Sequence, residues 1–192
     1  MNGEAHDVRT LPDGFTSLQD ISPDGKELLA MIGPNGLVSI PLDTADQYTN
    51  SKATVIVKDG YPNGGFSPDG RWIVYGIPEA DGGVYVQPFP GPRLRTQIGA
   101  PDGFPVWRKD GKEILIAGNG GIWSVTVQKA GSEVRFGAPE KLFSGLRFPH
   151  GVNASSHPLE VSRDGSRIYF VQAVEQPPDS NLINILSGWQ HN

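Results

Sequence analysis

One phrase, written four times, constrains this chain more than any other feature. "ISPDGKELLAMIG" from Ile21, "FSPDGRWIVYG" from Phe66, "VWRKDGKEILIAG" from Val106 and "EVSRDGSRIYFVQ" from Glu160 share the frame apolar-x-x-Asp-Gly-x-x-apolar-apolar-apolar. The aspartates are Asp24, Asp69, Asp110 and Asp164, spaced 45, 41 and 54 residues apart. Periods near 40 to 45 residues with several strands each mark propeller blades rather than helical solenoids. Aligned on the aspartates, Ile21, Phe66, Trp107 and Val161 share one column, and Leu28, Ile73, Ile114 and Ile168 another; both columns are expected in the core.

Each unit continues with a second strand phrase: "GLVSIP" at Gly36, "GVYVQP" at Gly83, "GIWSVT" at Gly121 and "NLINIL" at Asn181. Their period-two alternation suits half-buried strands. Three units add a third phrase, "ATVIV" at Ala53, "RLRTQI" at Arg93 and "EKLF" at Glu140. The unit this implies is a four-stranded antiparallel blade, and the fold expected is an all-β propeller region of about four blades, part of a larger propeller. The blades run over 12–60, 61–100, 101–145 and 146–192. Val8 to Leu11 form a stray outer strand, which either completes the last blade or belongs to a preceding one.

The shared tetrapeptide has a mechanical reading. Proline presets φ at the second position of a type I turn, aspartate bonds its own backbone, and glycine supplies the left-handed residue that follows. Lys109 and Arg163 replace the proline without harm, since that position needs only right-handed dihedrals, whereas glycine is kept in all four copies. The repeated aspartates therefore read as turn residues and not as catalytic carboxylates.

Composition narrows the function. With 25 Gly and 17 Pro punctuating short apolar clusters, the chain reads as many short strands. A net charge of −5 supplies no broad basic field for a phosphate backbone, so nucleic acid is not an expected partner. The absence of cysteine excludes disulfides, thiolate metal sites and a cysteine nucleophile. No apolar run approaches the length of a membrane helix, so direct membrane insertion by this chain is not expected.

The quartet "SPDGK", "SPDGR", "KDGK" and "RDGS", each ahead of an apolar triplet, resembles the TolB-like, WD-repeat-like β-propeller family over nearly the whole chain. The stretch "VWRKDGKEILIAGNGGIWSVTV", with "GAPEKLF" and "LEVSRDGSRIYFV", is similar to the C-terminal end of propellers attached to bacterial serine/threonine kinases as sensor or interaction domains. That resemblance implies a module of a longer bacterial protein, periplasmic if the whole is a membrane-anchored sensor and cytoplasmic otherwise. The chain itself carries no Gly-rich nucleotide loop, H-R-D or D-F-G sequence.

No catalytic frame emerges: G-x-S-x-G, H-E-x-x-H and the phosphate-binding and dinucleotide loops are absent. In a propeller, the loops entering each blade and those between its second and third strands gather on one face. That face receives 58–65, 76–83, 99–105, 144–158 and 175–181. The long segment 144–158 accounts for the 54-residue spacing and brings together Arg147, Phe148, His150, Asn153 and His157, a set able to contact a peptide or an anionic group. Tyr61 and Phe104 come from neighbouring loops of the same face and complete the candidate binding set. His150 and His157 lack a third ligand nearby in sequence, so they read as solvated loop histidines, with no metal and no cofactor expected.

The reading is a non-catalytic module that binds a protein or peptide. Its partners include an upstream domain of the same protein or a second copy that completes a ring. The alternative is the gating propeller of a prolyl-oligopeptidase-type serine peptidase, which needs a hydrolase domain elsewhere. A lyase or lactonase propeller with a central metal needs inward acidic and histidine ligands that the repeats do not supply in register.

Overall fold

The computed structural model describes residues 14–33, 36–42, 53–58, 62–77, 82–91, 94–99, 103–118, 120–130, 133–148, 158–172 and 185–187. Every element among them is a strand, and every pairing is antiparallel. The first sheet is β1 (Phe15–Ile21), β2 (Glu27–Ile32), β3 (Leu37–Pro41) and β4 (Thr54–Val57), in that order. The second is β5 (Asn63–Phe66), β6 (Trp72–Ile77), β7 (Gly83–Pro88) and β8 (Thr96–Gln97), again in order. The third holds β9 (Phe104–Trp107), β10 (Glu113–Gly118), β11 (Gly121–Ala130), β12 (Glu133–Phe136) and β13 (Glu140–Ser144). The fourth is β14 (Leu159–Val161), β15 (Arg167–Phe170) and β16 (Ile185–Ser187).

The two sequence columns are cross-strand partners. Ile21 faces Leu28, Phe66 faces Ile73, Trp107 faces Ile114 and Val161 faces Ile168. Alternate residues of each strand point to opposite faces, so a sheet can offer one apolar face to the sheet before it and another to the sheet after it, as the second and third do. Leu29, Leu37 and Val57 meet Phe66, Ile73 and Tyr75 between the first and second sheets. Val74, Val84 and Val86 meet Trp107, Ile114 and Val125 between the second and third. Leu115, Ala117 and Ile122 meet Leu159, Val161, Ile168 and Phe170 between the third and fourth. Each fully buried Val, Leu or Ile in these layers contributes roughly 1.5 to 3 kcal/mol.

Ile21 departs from its column. It is 48% exposed, while Phe66, Trp107 and Val161 are 5%, 4% and 3% exposed. Those three pack against the preceding sheet, and among the described residues no sheet stands before β1. The third sheet also departs from a plain four-stranded unit. β11 runs for 10 residues, and its second half pairs with β12 while its first half pairs with β13. "EVRF", a strict polar-apolar alternation of four residues that the blade reading did not assign, thus forms an extra hairpin arm.

The turn reading holds in atomic detail. Gly25, Gly70, Gly111 and Gly165 have φ of 71, 68, 70 and 71°. Their amides donate to the carbonyls three residues earlier, at 2.8, 2.8, 2.9 and 2.9 Å. Each aspartate accepts from the amide two residues on, at 3.2, 3.2, 3.0 and 3.1 Å. The serine before each turn does further work: Ser22, Ser67 and Ser162 donate their hydroxyls to the aspartates and accept from the amides of Glu27, Trp72 and Arg167. In the third unit Arg108 stands at the serine position and pairs instead with buried Glu113, at 2.7 Å.

Candidate functional site

The entering strands β1, β5, β9 and β14 lie along a common central cleft. At its loop-face end the cleft is lined by Asn63, Phe104 and Pro158, with Gln19, Gly64 and Leu159 one level below. Deeper, Asp20, Gly65, Val106 and Glu160 line it, and Lys109 stands at the far end with Phe66 and Trp107. The strands hold these positions because each lies at the inner edge of its sheet, and the sheets are held side by side by the hydrophobic layers between them.

Asp20 fastens the first two blades together across this cleft. Its Oδ2 accepts from the Phe66 amide at 2.8 Å, and its Oδ1 accepts from the Ile21 amide at 2.8 Å. Gly65 makes room for this clamp, since a Cβ there would meet Asp20 Oδ2 at 3.0 Å. Gln19 donates to the Ser17 hydroxyl at 2.7 Å. Close approach also shapes the next boundary: a Cβ on Gly76 would run into the carbonyl oxygen of Gly103.

The start of the long loop is anchored. Leu146 donates its amide to the Gly120 carbonyl at 3.1 Å, and the side chains of Leu146 and Phe148 pack on the layer between the third and fourth sheets. Arg147, between them, is exposed. At the loop's other end Pro158 is buried and accepts from the Val171 amide at 3.0 Å. Phe104 is a strand residue of β9 that packs on the same layer and also lines the cleft mouth. The structure therefore brings Phe104 and Phe148 to one hydrophobic layer with Arg147 beside them, while Tyr61, His150, Asn153 and His157 lie outside the described residues.

Sequence reasoning missed Gln19, Asp20 and Asn63. The signal was available for Asp20, an acidic residue inside the strand phrase "FTSLQDI", where alternation alone gives no reason for a charge. Among the described residues no group of three or more His, Cys, Asp or Glu side chains is placed to hold a metal ion. Tyr75, fully buried, donates to Gln87 Oε1 at 3.2 Å, and burial pushes its phenol above the ordinary range, so it is a core residue and not a nucleophile.

No protein-family profile and no curated protein sequence matches the chain. Solved structures do. TolB from Acinetobacter baumannii aligns with a TM-score of 0.55 at 19% identity over 91% of this chain and 44% of its own. A protein described as TolB from Agrobacterium tumefaciens aligns with a TM-score of 0.55 at 22% identity over 82% of this chain and 53% of its own. A protein described as a 6-phosphogluconolactonase from Bacteroides uniformis aligns with a TM-score of 0.53 at 18% identity over 81% of this chain and 47% of its own. The fold is thus a TolB-like β-propeller, and the chain spans about half the length of these structures.

Proposed function

We propose that this chain is a non-catalytic propeller module that binds a protein or peptide at its loop face, around the mouth of the central cleft. The observation that carries the reading is the anchoring of the long loop: Leu146 and Phe148 pack, half-buried, against the layer that Phe104 also joins, Arg147 between them is exposed, and Phe104 lines the cleft mouth with Asn63 and Pro158. Loops held on a rigid β scaffold commonly carry recognition, and an aromatic beside a cation is a typical peptide-binding pairing. His150, Asn153, His157 and Tyr61 extend the proposed surface. The non-catalytic part of the reading is supported by Asp20, an acid lining the cleft, because its Oδ2 accepts from the Phe66 amide of the next blade and its Oδ1 from the Ile21 amide of its own strand. The role as a sensor or interaction part of a larger bacterial protein, and the link to a kinase, rest on the sequence phrases.

The test compares the wild-type chain with a variant in which Arg147, His150 and His157 are all alanine. The expected result is a thermal transition within about 1 kcal/mol equivalent of wild type, as surface changes usually give, with partner capture from the source lysate lost. Retention of the same partners by the triple variant would overturn the reading.

A further inference from the structure

We infer that the groove between the first and second sheets, on the face of the Asp-Gly turns, takes a lysine or arginine side chain from a partner polypeptide. The argument comes from the chain's own repeats. At the boundary between the second and third sheets, Asp69 Oδ2 pairs with Lys129 Nζ at 2.6 Å. The ammonium lies over the glycine of the next turn, where a Cβ on Gly111 would meet Nζ at 3.4 Å and Pro68 Cδ at 3.9 Å. At the boundary between the third and fourth sheets, Asp110 Oδ2 stands 3.5 Å from Arg108 Nε. That guanidinium lies against Gly165, where a Cβ would meet Nε at 2.8 Å. Each boundary thus seats a cation between the aspartate of one turn and the glycine of the next.

The boundary between the first and second sheets has the same turns with no cation paired to the aspartate among the described residues: Lys26 lines the space but makes no ion pair with Asp24. Pro23 Cδ is 3.5 Å from the Cβ position of Gly70, as Pro68 is close to that of Gly111. Asp24, however, accepts from the Ser22 hydroxyl and the Lys26 amide through Oδ1 alone, and no ion pair to it occurs among the described residues. Two positions differ: where the third unit has Arg108 the first has Ser22, and where the third sheet has Lys129 the second has glycine. Val127 donates to the Lys112 carbonyl as Phe89 donates to that of Arg71, so Lys129 corresponds to Gly91. Gly91 has φ of 106° and nothing within 4 Å of its Cβ position.

The space beside Asp24 is an open groove of about 490 Å³ with Pro23, Pro68, Phe89 and Pro90 in its wall, and its charged lining includes Lys26 and Asp69 as well as Asp24. Prolines and a phenylalanine suit the methylene stem of a long basic side chain, and the carboxylate suits its charged end. The Ser22 hydroxyl, the Lys26 amide and the Lys26 charge hold the Asp24 carboxyl below its ordinary value. Of the groove's other carboxylates, Glu27 accepts from the Ser39 hydroxyl at 2.7 Å and Asp69 is paired with Lys129, which leaves Asp24 to meet an incoming cation. This site lies on the face opposite the long loop and does not depend on the loop-face reading.

The test titrates isotope-labelled protein with the peptide acetyl-Gly-Ala-Lys-Ala-Gly-amide and with its twin acetylated on the lysine Nε, following backbone amide resonances. The charged peptide is expected to shift the amides of Asp24, Gly70 and Phe89 saturably. It should bind about tenfold or more tightly than the twin, the order a charge-assisted hydrogen bond supplies. Asp24→Asn keeps a residue that serves the turn and should reduce binding to the level of the twin. Lys129→Ala clears the equivalent seat and should create a second saturable site at Asp69 and Gly111. Equal binding of the two peptides, absence of saturable shifts at Asp24, undiminished binding to Asp24→Asn, or no second site in Lys129→Ala would each overturn the inference.

Discussion

Trp107→Ala tests the blade register most severely. Trp107 is 4% exposed and sits among Val74, Val84, Val86 and Ile98 of the second sheet and Ile114, Ile116, Val125 and Val127 of the third. A tryptophan in such a layer removes on the order of 200 Å² from water, and at about 25 cal/mol per Å² this amounts to about 5 kcal/mol. Allowing for residual burial in the unfolded chain brings the transfer part down to about 3 to 4.5 kcal/mol. A cavity contribution acts in the other direction, so the expected loss is about 3 to 5 kcal/mol. Against a urea slope of about 2 kcal/mol per M, that moves the unfolding midpoint down by about 2 M. Trp107→Phe should cost less than about 1.5 kcal/mol, because it keeps most of the volume. It also removes an indole N–H that finds no acceptor among the described residues. Ile21→Ala, in the same repeat column but half exposed, should cost about 1 kcal/mol. A Trp107→Ala midpoint within about 0.3 M of wild type, or an equal loss in Ile21→Ala, would refute the register and the layer assignment.

Asp69→Asn should leave the turn intact and cost about 0.2 to 1 kcal/mol near neutral pH, the range of a solvent-screened ion pair, since Lys129 loses its partner. Partial burial raises the Asp69 carboxyl, but the Lys129 ammonium, the Ser67 hydroxyl and the Arg71 amide outweigh it and hold the pKa at about 2 instead of 3.8. The group therefore binds its proton more weakly when folded, and its stabilisation is present above the unfolded value and fades as the pH falls from 3.8 towards 2. Acid unfolding curves should be steeper in that window for wild type than for Asp69→Asn; equal slopes would contradict the pairing. Gly70→Val should cost more than Asp69→Asn, about 1 to 2 kcal/mol from the left-handed backbone alone, and a tolerated valine in the same melts would remove the turn assignment. Gly76→Ala places a methyl against the Gly103 carbonyl, which is backbone and cannot swing away, so it should destabilise the chain by more than about 1 kcal/mol; an unchanged melting temperature would show that the two sheets do not approach there.

Blade architecture was legible because it rests on short-range rules repeated four times. The Asp-Gly turns and the apolar triplets are each decided within about ten residues, and both columns align as cross-strand partners. What escaped the sequence was decided between blades. The exposure of Ile21 depends on which sheet stands beside it, and its letters match those of a buried column. Asp20 reads as an odd charge in a strand until the Phe66 amide, 46 residues away, is placed against it. The turn reading assigned roles to the proline, aspartate and glycine and none to Ser22, Ser67 and Ser162, whose hydroxyls each bridge the turn aspartate to the first amide of the next strand. At the loop face, Arg147 could be nominated by residue type, but the anchoring that exposes it comes from Leu146 and Phe148 meeting the third and fourth sheets.

Partner contact at the loop face is the central claim, and site-resolved photo-crosslinking addresses it directly. A photoreactive residue is placed in turn at Arg147, on the loop face, and at Arg71 and Lys112, on the turn face. Each labelled chain is irradiated in source lysate, and covalent adducts are compared with those of a sample competed by excess unlabelled chain. The account predicts a competed adduct from Arg147 that disappears when His150 and His157 are also alanine. Competed adducts from Arg71 or Lys112, with none from Arg147, would contradict it and move partner binding to the opposite face.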